Sequence, residues 1–186
     1  MRIVPITLML CLITVASFFL LPENVMSADD IFLNEKWGLK FNVPTGVNAY
    51  TSDNPGPMAS RINADTPLWL VSSSLALERI NVKVSQSQDA NEQELDAVKQ
   101  QLERDGLPFP QYQRVSVKYI TIGKEGSKKA VEHLHALKQK EPRNLRQIMF
   151  VHRGRVFNFT CATSPERYDI ANKHFFDIVF RSMEFK

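Results

Sequence analysis

The sequence predicts an α+β domain built on antiparallel strands, because two hydrophobic periodicities alternate along it. Leu39, Phe41 and Val43 alternate with polar residues, which is the pattern of a strand with one buried face. After Asn91 and again after Ser164, apolar residues instead recur every three or four positions, as on one face of a helix. Short links separate the later strand patterns and favour antiparallel neighbours, at residues 114–122, 130–138 and 146–161.

The first half of the domain is predicted to contain three strands and a long loop. Pro44 and Gly46 end the first strand, and residues 47–65 carry the Asp, Asn, Pro and Gly residues that are typical of a loop. Two further strands are predicted at residues 67–73 and 78–85.

The first helix is predicted between Asn91 and Gly106. Asn91 and Glu94 have the spacing of a capping box, and Gly106 is a typical residue at a helix end. The buried stripe of this helix is predicted to comprise Leu95, Val98 and Leu102.

The second half is predicted to end in a hairpin, a helix and a short closing segment. The dipeptide Arg153-Gly154 is the predicted two-residue hairpin turn. Ser164 as the N-cap and Pro165 at the first helical position begin the last helix. Its apolar stripe is predicted to comprise Tyr168, Ala171, Phe175, Ile178 and Val179, widened by Phe176 and Phe180.

The N-terminal segment has the layout of a secretory signal peptide. Arg2 precedes an uncharged apolar stretch at residues 3–21, and the small residues Ser27 and Ala28 follow it. Residues 1–28 are therefore predicted to be a signal peptide that delivers the protein to the periplasm or out of the cell. A retained membrane anchor is the alternative, because the apolar stretch is nearly long enough to span a bilayer.

Cleavage after Ala28 leaves a single domain of ordinary size, residues 29–186. The net charge stays at +3, because the removed segment carries one cation and one anion. So small a charge, together with export, argues against nucleic acid as a partner. Cys161 is the one cysteine that remains, so the domain has no internal disulfide and depends on packing for its stability.

The sequence predicts neither an enzyme nor a cofactor. It contains no Gly-x-Ser-x-Gly elbow, no His-Glu-x-x-His and no dinucleotide-binding glycine pattern. Residues 123–129, GKEGSKK, lack the four-residue spacer of a phosphate loop and are interpreted as a hairpin turn.

His133 and His135 are the clearest candidates for a ligand site, because side chains two positions apart on a strand point to the same side. Pairing this strand with residues 146–152 is predicted to place them opposite Val151 and Met149. The same side is predicted to carry Gln147, Met149, Asn158 and Thr160. The other side is predicted to be a core wall of Leu134, Ala136, Ile148, Phe150, Phe157, Phe159 and Cys161. As part of this wall, Cys161 is interpreted as a buried thiol and not as a nucleophile.

A metal site at the histidine pair needs at least one further His, Cys or carboxylate. His152 and Glu132 are predicted to lie on the opposite side, so the strands themselves do not complete a ligand set. A ligand from elsewhere, such as His174, stays open. The sequence therefore favours a polar strand face without a metal, and small-ligand or metal binding at His133 and His135 is the alternative.

A second candidate surface is a basic end of the sheet, where the turns at 123–128 and 153–155 are predicted to meet with only Glu125 to offset the cations. The predicted cluster comprises Lys124, Lys128, Lys129, Arg153 and Arg155. Such charged turns are usually just solvated. A basic rim can also steer an acidic protein surface, or contact the headgroups of an anionic membrane.

Two further surfaces follow from the predicted loops. A second basic end is predicted to comprise Lys138, Lys140, Arg143 and Arg146. The loop at 47–65 is longer than most connections, and long loops often carry function. Its candidate contact residues are Tyr50, Pro55, Pro57 and Met58.

Three stretches of the sequence, in their order and spacing, resemble the PsbP-like superfamily: WGLKFNVPTGV, TIGKEGSKKAVEH and FFDIVFRSMEF. This superfamily includes the PsbP proteins of photosystem II, the Ran-binding Mog proteins and the bacterial DcrB-like exported proteins, to which the chain is most similar. Val47 departs from the pattern, since many relatives have Trp at this place. The resemblance implies an α/β/α sandwich, with a central antiparallel sheet flanked by helices. It also implies proteins that bind other proteins and share no catalytic residues.

The expected function is therefore that of a periplasmic or secreted, non-catalytic module that binds a protein of the cell envelope. On these grounds, the predicted contact surfaces are the basic end and the long loop.

Overall fold

The computed structural model describes residues 30–73, 78–85, 89–108 and 111–186. The predicted signal peptide at residues 1–28 lies outside these ranges and stays a prediction. Within the ranges, no helix combines the length and the apolar composition that crossing a bilayer requires.

A seven-stranded antiparallel sheet forms the centre of the domain. Its strands are β3 (Val47–Thr51), β4 (Leu68–Ser72), β5 (Arg79–Val84), β6 (Tyr112–Ile122), β7 (Lys128–Leu137), β8 (Arg143–His152) and β9 (Arg155–Thr163). Their spatial order is β3-β4-β5-β9-β8-β7-β6, so β3 and β6 form the two edges.

A smaller sheet joins the two ends of the described chain. It consists of β1 (Ile31–Asn34), β2 (Leu39–Asn42) and β10 (Glu184–Phe185), with β2 in the middle. The helices are α1 (Glu92–Arg104) and a C-terminal helical segment in which α2 (Tyr168–Ala171) passes through a π-helical turn (Asn172–Phe176) into α3 (Asp177–Arg181).

Different elements cover the two faces of the large sheet. Helix α1 packs over β6, β7 and β8 on one side, the α1 face, where Leu95 and Leu102 meet Val131 and Met149. The C-terminal helical segment and the small sheet cover the opposite side, the C-terminal face. The predicted α+β class and α/β/α sandwich are confirmed, with the small sheet sharing the second outer layer.

The C-terminal face carries the larger core. Phe150, Phe157 and Phe159 are fully buried there and pack against the small sheet and the helical segment. Cys161 is also fully buried, and burial raises the pKa of its thiol far above the ordinary value. The interpretation of Cys161 as a core residue is therefore confirmed.

Helix α1 begins and ends close to its predicted limits. The side chain of Asn91 accepts hydrogen bonds from the backbone N–H groups of Gln93 at 2.9 Å and Glu94 at 3.3 Å. Two of the helix's unpaired N-terminal donors are thereby satisfied. Gly106 follows the helix with a φ of +67°, a conformation that glycine adopts without strain.

Replacing Asn91 with alanine is expected to lower the free energy of unfolding by about 1 kcal/mol, because the two backbone donors lose their acceptor. Urea denaturation followed by circular dichroism measures the loss. Asn91→Asp keeps an acceptor oxygen and is the matched control, so equal losses in the two variants would show that the cap does not contribute.

The hairpin of β8 and β9 has its predicted turn and register. Arg153 and Gly154 form the turn with φ values of +47° and +70°, as the twist of a two-residue hairpin requires. Met149 lies opposite Asn158, and the other pairs follow in step.

The predicted pairing of β7 with β8 is wrong by four residues. His133 lies opposite Gln147 instead of Val151, and His135 is displaced equally. Strand β8 begins at Arg143, which shortens the preceding loop and slides the pairing along the strand. Because the displacement is an even number of residues, each side chain keeps its predicted face.

The sequence predicted one continuous loop at residues 47–65, and the structure contradicts this prediction. The first five form the edge strand β3, in which Tyr50 lies opposite Trp69. The connection itself spans residues 52–67 and contains a short 3-10 turn at Gly56–Met58. Strand β3 escaped the prediction because it is short and half-exposed, so its hydrophobic alternation is weak.

The C-terminal helix is less regular than predicted. Its π-helical turn holds more residues than an α-helical turn, so the side chains that follow it point in directions different from those in a regular helix. The apolar stripe is displaced accordingly. Phe175 and Phe176 are both buried as a result, whereas Ile178 is 37% exposed and does not belong to the stripe.

Candidate functional site

His133 and His135 lie side by side beneath helix α1, together with an aromatic neighbour that the sequence did not single out. Their rings stack with centroids 4.4 Å apart, and the ring of Tyr112, from the edge strand β6, lies 5.7 Å and 5.4 Å from them. Both imidazoles are buried. The pair is therefore part of the interior and not an open strand face.

A chain of hydrogen bonds runs from Tyr112 across four strands, and all its donors point the same way. The Tyr112 hydroxyl donates to Nε2 of His133 at 2.8 Å, and Nδ1–H of His133 donates to Oε1 of Gln147 at 2.9 Å. Nε2 of Gln147 then donates to the Thr160 hydroxyl, which donates to Oδ1 of Asn158, each at 3.4 Å. This direction is the one that lets every side chain use its proper donor and acceptor.

The network leaves His133 without a lone pair for a metal, because both of its ring nitrogens have partners. Burial lowers the pKa of His133, and burial with a smaller contribution from His133 lowers the pKa of His135 to about 4. Both rings are therefore neutral at neutral pH. In the described ranges no three His, Cys, Asp or Glu side chains come together as a metal site would require. The geometry indicates a buried polar network that fixes the sheet beneath α1.

The five cations of the predicted basic end do lie at one end of the sheet, but their counter-charges were not anticipated. The five are Lys124, Lys128, Lys129, Arg153 and Arg155. Glu184 of β10 pairs with Lys124, and Asp96 and Glu92 of helix α1 lie 3.1 Å and 3.6 Å from the amine of Lys129. The expectation that only Glu125 offsets this end is therefore wrong, because the acids come from distant parts of the chain.

The arginines of the basic end anchor the backbone. Nε of Arg153 donates to the carbonyl of Lys186 at 3.0 Å, and its Nη1 donates to the carbonyl of Glu35 at 2.9 Å. Gly38 permits this approach, since a Cβ atom there would lie 2.5 Å from Arg153 Nε. Nη1 of Arg155 donates to the carbonyl of Ser85 at 3.0 Å.

A groove with a cavity volume of about 650 Å³ opens at the same end of the sheet. It lies between the 52–67 connection and the turn that joins β1 to β2. The groove unites Arg155 of the basic end with Pro55 of the long connection, two residues that the sequence assigned to separate surfaces. Its apolar wall comprises Trp37, Pro55, Ile62, Pro67 and Val84.

The charged residues of the groove are predominantly basic. Among the described residues, Lys36 and Arg155 line it together with a single acid, Asp53. Tyr50 lies beneath the connection, where its ring would meet a Cβ atom at Gly56, and it is half-buried. Met58, in the 3-10 turn, is half-buried as well. The predicted contact residues Tyr50 and Met58 thus do not line the groove.

Comparison with solved structures relates this architecture to known folds. CyanoP, the PsbP protein of the cyanobacterium Synechocystis, superposes with a TM-score of 0.58 at 15% identity, over 88% of this chain and 96% of that chain. LpqN of Mycobacterium tuberculosis, a protein involved in cell envelope biogenesis, gives 0.56 at 12% identity, over 80% and 83%. A Bacteroides thetaiotaomicron protein gives 0.52 at 6% identity, over 86% of this chain and 49% of its own.

The domain has a PsbP-like fold. The sequence itself is matched by no family model and by no curated protein, so the likeness lies in the architecture. The expected PsbP-like fold is confirmed.

Within this PsbP-like fold, Lys36 and Trp37 are among the groove residues that the sequence did not single out. Both lie in the turn between β1 and β2, which the sequence presented only as the lead-in to a strand. The signal in the sequence was an aromatic residue beside Gly38, since a tight turn can hold a half-buried ring at the rim of a sheet.

Proposed function

We propose that the protein is an exported, non-catalytic binding module of the cell envelope, related to the DcrB-like exported proteins. The secretory layout of residues 1–28 supports export. The PsbP-like fold supports a binding role, and the structural likeness to LpqN, a protein involved in cell envelope biogenesis, is compatible with the same compartment.

The binding site in this proposal is the groove between the 52–67 connection and the β1–β2 turn, and its occupant is an extended acidic segment of an envelope protein. The observation that carries the proposal is that Lys36 and Arg155 face a cleft with an apolar wall and, among the residues that the structure describes, only one acid, Asp53. The hydrogen bond to Ser85 uses one N–H of Arg155, which leaves further donors for a carboxylate.

Site-specific photo-cross-linking tests this site. A photo-reactive amino acid at Ala59, an exposed residue that lines the groove, is expected to give one dominant adduct with an envelope protein. The same amino acid at Lys173, which is exposed on the C-terminal helical segment, is the matched control and is expected to give none. Equal adducts at both positions, or none at Ala59, contradict the proposal.

Charge reversal tests the acidic character of the partner. Lys36→Glu is expected to reduce the Ala59 adduct about tenfold, because a repelled carboxylate replaces an attracted one. Lys36→Arg and Lys173→Glu are expected to keep it. Lys36 suits this test better than Lys129 or Arg153, since those two hold parts of the fold together. An adduct that survives Lys36→Glu would show that the groove does not select an acidic segment.

A further inference from the structure

A cluster of arginines surrounds Trp69 on the part of the α1 face that lies beside the helix. Helix α1 packs on β6, β7 and β8, whereas Trp69 lies on β4, opposite Asn81 of β5. The guanidinium groups of Arg61 and Arg79 lie 5.6 Å and 6.0 Å from the centre of the Trp69 ring. Arg61 comes from the 52–67 connection and Arg79 from β5, so loop and sheet contribute to one cluster.

Arg143, at the start of β8, is the third member of this cluster. Burial, and then the charges of Arg143 and Arg61, lower the pKa of Arg79, so both of these cations act on Arg79. Nη2 of Arg143 lies 3.2 Å from the exposed carboxylate of Glu141. Its Nη1 is buried and has no hydrogen-bond partner among the described residues, and the same holds for Nε1 of Trp69.

The cluster is therefore rich in donors and poor in acceptors. In the part of the chain that the structure describes, no carboxylate lies within ion-pair distance of Arg61 or Arg79. The Trp69 ring attracts the guanidinium groups through its face but offers no lone pair to their N–H groups. Among the described residues, Glu141 is the one acid within ion-pair distance of a member of the cluster, and it contacts Arg143.

We propose that Arg61, Arg79 and Arg143, with Trp69, form a binding site for an oxyanion, either a phosphate or a carboxylate group. Guanidinium groups bind both through paired N–H···O bonds, and an anion supplies the acceptors and the negative charge that the cluster lacks. This site is distinct from the groove, which Trp37 lines. The connection at 52–67 separates the two, with Arg61 at the cluster and Ile62 at the groove.

The two tryptophans of the chain allow the site to be observed by itself. In a Trp37→Phe protein, Trp69 is the sole tryptophan, and its emission is titrated with inorganic phosphate and with citrate at constant ionic strength. A saturable change is expected for at least one of these anions. Arg79→Gln is expected to weaken it about tenfold or more, because a charged hydrogen bond is lost. Lys173→Gln, which removes one exposed cation elsewhere, is expected to leave it unchanged.

Vesicles distinguish a free anion from a lipid headgroup. Phosphatidylglycerol vesicles are compared with phosphatidylcholine vesicles, again with Trp69 as the probe. Binding of free phosphate or citrate alone supports a soluble ligand, and additional binding to the anionic vesicles that Arg79→Gln weakens supports a headgroup. No saturable change with any probe, or equal affinity in Arg79→Gln, overturns the proposal.

Thermal unfolding separates a lost site from a lost fold. Without added anion, Arg79→Gln is expected to melt at the same temperature as the parent protein or higher, since it removes the repulsion of Arg79 by Arg143 and Arg61. Phosphate or citrate at saturating concentration is expected to raise the melting temperature of the parent and not of the variant. If Arg79→Gln melts lower, Arg61→Gln on the exposed connection takes its place in both assays. Equal stabilisation of parent and variant overturns the site.

Discussion

Replacement of Arg146 with methionine is expected to lower the free energy of unfolding by about 3 kcal/mol, because it leaves a buried carboxylate without its main partner. Nε of Arg146 donates to Glu132 at 2.8 Å, and its Nη1 donates to Asp177 at 2.6 Å and to Asn172 at 3.3 Å. Glu132 is only 5% exposed. The amine of Lys118 lies 3.1 Å from the second carboxylate oxygen of Glu132 and still pairs with it after the substitution. The expected loss is therefore at the lower end of the range for broken buried pairs.

Thermal or urea unfolding measures this loss. A decrease of about 3 kcal/mol corresponds to a fall in melting temperature of roughly 6–12 °C for a domain of this size. Arg181→Met is the matched control, because that side chain is 84% exposed and pairs with the same Asp177 at 3.5 Å. Its expected cost is below about 0.5 kcal/mol.

A double substitution identifies the unpaired charge as the cause. Glu132→Leu combined with Arg146→Met removes both members of the buried pair and replaces them with apolar groups of similar size. It is expected to recover at least about 1 kcal/mol relative to Arg146→Met. A double variant that is less stable than Arg146→Met would attribute the loss to packing and contradict the electrostatic explanation.

This ion pair shows why parts of the structure escaped prediction from the sequence. Arg146 was predicted to lie at the second basic end, in solvent, because a charged residue near a turn is usually solvated. The predicted register placed Glu132 opposite His152, whereas Glu132 in fact pairs with Ile148, two residues from Arg146. An error of four residues was thus enough to separate the two charges and hide their contact.

The correctly predicted features depend on local chemistry. The Asn91 cap, the Arg153-Gly154 turn and the core side of β9 follow from hydrogen bonds and side-chain alternation within a few residues. The register of β7 depends on loop length, which alternation does not determine. The groove and the acids beside Lys129 depend on segments that are distant in sequence, so that only the folded chain brings them together.

Stability is also expected to decrease as the pH falls from about 6.5 towards 4, because His133 and His135 are buried as neutral rings. Burial lowers the pKa of His133, and it lowers that of His135 from 6.5 to about 4. Between these values the unfolded chain binds more protons than the folded protein, so the free energy of unfolding falls with the pH. One pKa unit corresponds to about 1.36 kcal/mol, so His135 contributes at most about 3 kcal/mol, and residual solvent screening reduces this value.

His135→Phe tests which residue causes this dependence. The substitution keeps an aromatic ring beside His133 and Tyr112 and removes the group that must be protonated. It also removes Nδ1 of His135, a buried atom without a hydrogen-bond partner among the described residues, so the variant is expected to be at least as stable as the parent at pH 8. His174→Gln, at an exposed position, is the matched control.

The pH window separates the histidines from the carboxylates that also lose stabilising contacts in acid. Hydrogen bonds from Tyr119 and Lys129 lower the pKa of Asp96, and those from Lys124 and Lys40 lower the pKa of Glu184. Such groups lose their contribution only below their ordinary pKa values of about 4, where the unfolded chain begins to take up protons. Urea unfolding at pH 8 and pH 5 therefore reports chiefly on buried histidines.

His135→Phe is expected to reduce the difference in unfolding free energy between these two pH values, and His174→Gln is expected to preserve it. An unchanged difference in His135→Phe would show that His135 is already protonated in the folded protein at pH 5, or that other groups titrate in this range. Either result contradicts the buried neutral imidazole of His135 as the source of the pH dependence.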